Sequence, residues 1–103
     1  MDRMEQLRTL LEQSPKDSFL RHALALELQK TGEDGAAIRQ LESLLTDDPG
    51  YVGSYYQLGK LLEKTGDEQG AIRWYEQGMK QARAAGESRA YNELQSALEE
   101  LTF

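Results

Sequence analysis

Residues 52–83 repeat residues 18–49 at an offset of 34. Leu24 returns as Leu58, Leu28 as Leu62, Ala37 as Ala71, Ile38 as Ile72 and Arg39 as Arg73. Lys30-Thr31-Gly32 returns as Lys64-Thr65-Gly66, and Leu41 as Tyr75, which is again large and apolar. A fixed period of this length marks stacked supersecondary units, a solenoid, rather than one globular core. Such stacks act through a surface, so function is expected on an exposed face and not around a nucleophile.

Inside each repeat the apolar spacing is helical. Met4, Leu7, Leu10 and Leu11 stand three and four residues apart. Ser14-Pro15-Lys16-Asp17 ends that helix, because the residue before a proline is driven out of the helical region. A second helix is predicted over 18–30, with a stripe of Leu20, Leu24 and Leu28 widened by Phe19, Ala23 and Leu26. Asp17 or Ser18 can cap it, and Gly32 is placed to take the left-handed conformation after its last turn. A third, over 33–46, is buried through Ala37, Ile38, Leu41, Leu44 and Leu45 and ends at Asp47-Asp48-Pro49-Gly50. A fourth, over 51–64, carries Tyr55, Leu58, Leu61 and Leu62, with Gly66 as its turn. The fifth runs from 67 to about 84 through Ala71, Ile72, Tyr75 and Met79. Gly86 precedes a sixth over 87–101, with Tyr91, Leu94 and Leu98 on one face. There is no strand signal and every loop is short, so successive helices pack antiparallel as neighbours.

The period extends in both directions. Subtracting 34 from Ile38, Leu41, Leu44, Leu45 and Pro49 gives Met4, Leu7, Leu10, Leu11 and Pro15. The first helix therefore matches the second half of a repeat. Tyr55, Leu58 and Leu62 align with Tyr91, Leu94 and Leu98 at an offset of 36, a slip absorbed by extra residues at Ala82 to Ala85. Writing A and B for the two helices of a repeat, the plan is B, A-B, A-B, A. Small residues fall where helices would cross: Ala37 and Ala71 within hairpins, and Ala25 and Gly59 one residue after Leu24 and Leu58. A large side chain at such a point forces backbones apart at about 1–3 kcal/mol. Gly59 inside a helix costs up to about 1 kcal/mol relative to alanine, which close packing offsets. Gly78 admits the same account, although its counterpart is Leu44.

At these residues the chain resembles the tetratricopeptide repeat family, whose unit is about 34 residues in two antiparallel helices. The second repeat supplies Tyr55, Leu58, Gly59, Leu62, Ala71, Tyr75 and Gly78; the first supplies Leu24, Ala25, Leu28, Ala37, Leu41 and the closing Pro49. Arg21 departs from the family's aromatic, Leu44 from its small residue and Arg83 from its proline. The resemblance implies an all-α fold: a right-handed superhelical stack of antiparallel helix hairpins, an α-solenoid of about six helices. It would form one domain over 1–103: a half repeat over 1–15, repeats over 16–49 and 50–85, and a capping helix over 86–103. It also implies a function, a protein–protein interaction module or scaffold binding a peptide or helix. In this family the first helix of each pair lines a concave groove. That would place Phe19, His22, Leu26, Gln29 and Lys30 there from one repeat, Tyr56, Lys60, Glu63 and Lys64 from the next, and Arg89, Asn92 and Ser96 from the last helix. Phe19 and Tyr56 would serve as anchors. One subclass grips the C-terminal carboxylates of chaperones. Its lysines, asparagines and arginine fall here on His22, Leu26, Gln57, Arg89 and Glu93, of which only Arg89 keeps a comparable charge. That ligand is not expected.

Composition narrows the classes that remain. The chain has 103 residues, a net charge of −6, no cysteine and a single histidine, His22. Disulfides, thiolate metal sites and histidine clusters are thereby excluded. Nucleic acid is not expected as a partner, because phosphate binding wants a basic stripe. No membrane association is expected, since no apolar run approaches roughly 18 residues and no helix has a basic polar face. With no signal-peptide pattern at the N-terminus, the cytoplasm is the default. Glu27, Glu42, Glu63, Glu76, Glu99 and Glu100 are a carboxylate supply of the kind normal on helix surfaces. There is no Glu-x-x-His pair and no phosphate loop, so neither an enzyme nor a cofactor or metal site is expected. The alternative to a binding module is a homo-oligomerising structural repeat. Polar outer faces on the first helix (Arg3, Glu5, Gln6, Arg8, Glu12, Gln13) and the sixth (Glu87, Arg89, Asn92, Glu93, Gln95, Glu99, Glu100) resemble caps. They favour a monomer over a homodimer.

Overall fold

The computed structural model describes residues 2–103. Among them are six helices: α1 (Arg3–Gln13), α2 (Ser18–Lys30), α3 (Asp34–Asp47), α4 (Gly53–Lys64), α5 (Glu68–Ala85) and α6 (Ser88–Thr102). The chain divides into two compact units, Met1–Asp48 and Pro49–Phe103.

Local chemistry sets the helix ends. The Asp2, Asp17 and Asp67 carboxylates accept the backbone N–H three residues on, at 2.8, 3.0 and 2.9 Å, and so satisfy donors that the first turn leaves free. After α2 and α4 the chain reverses through Gly32 and Gly66, at φ of 84° and 93°. In each turn the N–H after the glycine reaches the carbonyl five residues back, Glu33 to Leu28 and Asp67 to Leu62, both at 2.8 Å. This paired closure needs the left-handed residue that glycine supplies without strain. The regular part of α4 begins later than the spacing predicts. Ser54 and Tyr55 N–H groups bond to the carbonyls of Tyr51 and Val52, three residues back, at 3.2 and 3.3 Å. That tighter turn accompanies burial of Val52 in the core.

In the first unit, α2 packs on both α1 and α3. Its core is Leu7, Ala23, Leu24, Ala25, Leu28, Ala37, Leu41, Leu44 and Leu45. Arg21 is buried as well. Its guanidinium donates to Asp47 Oδ2 at 3.0 Å and to Ser43 Oγ at 2.9 Å, joining the start of α2 to the end of α3.

In the second unit, α5 packs on α4 and α6, and α4 also touches α6. Tyr55, the counterpart of Arg21, is fully buried, with its hydroxyl donating to the Pro49 carbonyl at 2.6 Å and its ring centroid 6.1 Å from that of Trp74. Glycines make room for the rings. A Cβ on Gly59 would meet Tyr75, and one on Gly78 would stand 2.6 Å from Tyr55 Cβ. Both are the close approaches that the small residues anticipate.

One expectation is corrected. Ile38 and Ile72 are half-buried, not core. Ala37 and Ala71, one residue earlier, are 0% exposed. Successive residues turn by about 100° around a helix, so when the alanine faces the crossing point the isoleucine is swung to the side of it.

Candidate functional site

On α2, Phe19, His22 and Leu26 follow one another at three and four residues, which sets them along one face. Phe19 is 67% exposed and Leu26 39% exposed. His22 and Gln29 beside them are half-buried, and Lys30 is exposed. Burial lowers the His22 pKa below its ordinary value, so at neutral pH the ring is an uncharged, partly apolar surface. This face of α2 is mainly apolar.

The second unit presents a different surface. Tyr56, Lys60, Asn92 and Ser96 line one cavity of about 390 Å³ together with Glu93, Ala97 and Glu100. The Lys60 ammonium stands 5.6 Å from the centre of the Tyr56 ring, 3.6 Å from Glu63 Oε2 and 3.9 Å from Glu100 Oε2. Glu63 also accepts the hydroxyl of the buried Tyr75. Burial first, and then the Glu63 carboxylate, push the Tyr75 phenol well above its ordinary value, so it remains a donor. Lys64 is exposed on the same helix. Arg89 does not line the cavity. Its guanidinium is turned to Glu93, at 3.2 Å, one turn along α6.

Two features escape the sequence pattern. The first is Trp74, which has no large counterpart in the first repeat and packs on Tyr55. The second is a cavity of about 580 Å³ between α5 and α6, lined by Glu76, Met79, Lys80, Arg83, Ala84, Tyr91 and Leu98. Tyr91, Leu94 and Leu98 share one face of α6, as their spacing predicts; Leu94 is buried, and Tyr91 and Leu98 are half-buried. The offset of 36 carries the signal, since Tyr91 and Leu98 repeat Tyr55 and Leu62.

The chain is similar to a tetratricopeptide repeat domain protein from Salinibacter ruber at 41% identity. The crystal structure of that protein matches over 84% of this chain and 96% of its own, with a TM-score of 0.79. Its solution structure matches over 84% and 88%, with a TM-score of 0.81. The chain belongs to the tetratricopeptide repeat family. A protein from Bordetella parapertussis, solved in solution, is 30% identical over 99% of this chain and 89% of its own, with a TM-score of 0.83. No family model and no curated relative matches the chain.

The tetratricopeptide repeat pattern is a packing pattern: Tyr55, Leu58, Gly59, Leu62, Ala71, Tyr75 and Gly78 are all buried. The chain is thus an all-α solenoid of paired helix hairpins, a non-catalytic scaffold of the kind used in protein–protein interaction. Among the described residues no helix is long and apolar enough to cross a membrane, and no group of three or more His, Asp or Glu side chains is placed to hold a metal ion.

Proposed function

We propose that this tetratricopeptide repeat chain is a protein-binding module that holds a segment of another protein on the first-helix faces of its repeats. The observation that carries the reading is Phe19, a phenylalanine left 67% exposed on α2 in line with Leu26. Exposed aromatic and aliphatic groups on a rigid helix are the usual anchors of such contacts. Tyr56 is the corresponding anchor on α4, with Lys60, Asn92 and Ser96 as its polar surroundings. Lys60 already faces two carboxylates, so it adds little attraction for an acidic segment. The ligand fitting these features is a peptide or helix with apolar anchors and polar flanks. The net charge of −6 favours protein over nucleic acid as the partner.

Calorimetry with a recovered partner tests this, after circular dichroism has shown that each variant folds. Phe19→Ala and Tyr56→Ala should each weaken binding by about 2 kcal/mol or more, and Lys60→Ala by less than about 1 kcal/mol. Parental affinity in both aromatic variants, with binding lost in Arg73→Glu on α5, would place the partner elsewhere.

A further inference from the structure

A further opening, of about 320 Å³, lies in the first unit between α1 and α3, with Leu24 and Leu28 of α2 as its floor. Each residue turns a helix by about 100°, so these leucines sit on the side of α2 away from Phe19, His22 and Leu26. The opening is therefore distinct from the first-helix face. Its charged lining is Arg8 on α1, Arg39 on α3 and Glu33 just before α3. Both arginines are exposed, and among the described residues neither forms an ion pair. Glu5 and Glu12 stand one turn either side of Arg8, and Glu42 one turn after Arg39, yet none of them is its partner. Arg8 instead donates to Met4 Sδ at 3.6 Å. Arg39 lies back along its own helix, where a Cβ on Gly35 would stand 3.6 Å from its Nη1. The Glu33 carboxylate accepts the Thr31 hydroxyl at 3.1 Å.

The two walls thus present like charge to the same space. One repeat on, at the offset of 34, position 8 becomes Glu42 and position 39 becomes Arg73, a pair of opposite sign. The first repeat carries a second guanidinium where its successor carries a carboxylate. Two cations against one anion leave a net positive charge over a leucine floor, in a chain whose net charge is −6. That combination selects the occupant. A guanidinium is planar and permanently charged, and it presents parallel N–H donors that match a carboxylate. One net positive charge balances one carboxylate better than a dianionic phosphate. The leucines add a gain only for a group that brings methylenes with its charge, as a glutamate side chain does.

We propose that the opening between α1 and α3 is a docking site for an acidic segment of a partner protein. A glutamate side chain lies over Leu24 and Leu28, and its carboxylate is held between Arg8 and Arg39. The site does not rest on the first-helix face, because the two lie on opposite sides of α2 and can be lost separately.

Titrating the isotope-labelled 103-residue chain with a blocked octapeptide of alternating glutamate and leucine, followed by its backbone amide resonances, tests the proposal. The largest shifts are expected at Leu28, Ala36 and Arg39. The glutamine analogue of the peptide should bind about tenfold more weakly. Arg8→Gln and Arg39→Gln should each lower affinity by about threefold, and the two together by about tenfold. Arg73→Gln, which removes the same charge elsewhere, should bind as the parent does. All three arginines are exposed, so their replacement leaves the fold intact, which the unliganded spectra check. No binding up to millimolar peptide overturns the proposal. So do equal affinities for the glutamate and glutamine peptides, or a double variant that binds like the parent. Shifts centred on Phe19 and Leu26 overturn it too, and assign the peptide to the first-helix face. Inorganic phosphate that displaces the peptide at equal concentration also overturns it, since the opening would then hold any anion.

Discussion

The ring of Tyr75 occupies the space where a side chain at position 59 would begin: a Cβ on Gly59 would stand 2.0 Å from Tyr75 Cε1. Tyr75 is fully buried and its hydroxyl is held by Glu63, so the ring has nowhere to swing. Gly59→Ala gains about 1 kcal/mol of helix propensity but overpacks this crossing at about 1–3 kcal/mol. The steric effect wins because the obstacle is a fixed ring and not a flexible chain end. A net loss of up to about 2 kcal/mol is expected in urea denaturation. The first repeat has Ala25 and Leu41 at the matching positions. Gly59→Ala combined with Tyr75→Leu should therefore lose less than the sum of the two single changes, by more than about 0.5 kcal/mol. An alanine variant as stable as the parent would mean the helices stand further apart.

Leu58 and Ile72 both recur at the repeat offset, yet burial separates them. Leu58 is 0% exposed, and Leu58→Ala should cost about 2–5 kcal/mol. Ile72 is half-buried, so Ile72→Ala should cost less, under about 2 kcal/mol. Guanidinium unfolding of the pair decides it, and equal losses would contradict the rotation of α5 described above.

Acid should strike the first unit through Asp47. Hydrogen bonds from Lys16 and then Arg21 hold its carboxyl below the ordinary value. A carboxylate with a lowered folded pKa contributes stability that is complete above the unfolded value, near about 4, and is lost as pH falls through the folded one. Below about pH 4, melting temperature should therefore fall more steeply in the parent than in Asp47→Asn. Parallel curves for the two would remove the role assigned to this carboxylate.

A second, milder window belongs to His22. Burial lowers its folded pKa, so the neutral ring is favoured on folding. That contribution is present above the unfolded value of about 6.5 and is lost as pH falls through the folded one. His22→Gln should reduce the stability change between about pH 7 and 5. The chain has one histidine, so its proton resonance can be followed without ambiguity. A midpoint at or above the ordinary value would contradict the half-buried placement.

Much of the architecture was legible because period and helical spacing are local signals. Leu24 and Leu58 fell in the core, and Gly59 and Gly78 at close approaches, where the offset and residue size placed them. Ile38 and Ile72 misled because recurrence reports equivalence, while burial depends on which way the helix is turned about its neighbour. Arg21 looked like a departure from the aromatic of its family. Its burial depends on Asp47 and Ser43 more than twenty residues away, which no local pattern reveals. On the candidate face, helical spacing counted Phe19 and Leu26 into the apolar stripe, yet they are 67% and 39% exposed; only the family resemblance set them on an open face. The pairing of Lys60 with Glu63 and Glu100 could not be anticipated, since it depends on rotamers and on the approach of α6.

The turns at Gly32 and Gly66 close with backbone φ of 84° and 93°, yet a Cβ built at either would meet nothing within 4 Å. What these positions reject is therefore handedness and not bulk. An L-alanine there is strained in open space, whereas a D-alanine, whose preferred angles are mirrored, fits the conformation. A chain assembled with D-alanine at these two sites would keep both hairpins and restrict the unfolded state, so the mirror-image residue should raise stability where its natural counterpart lowers it.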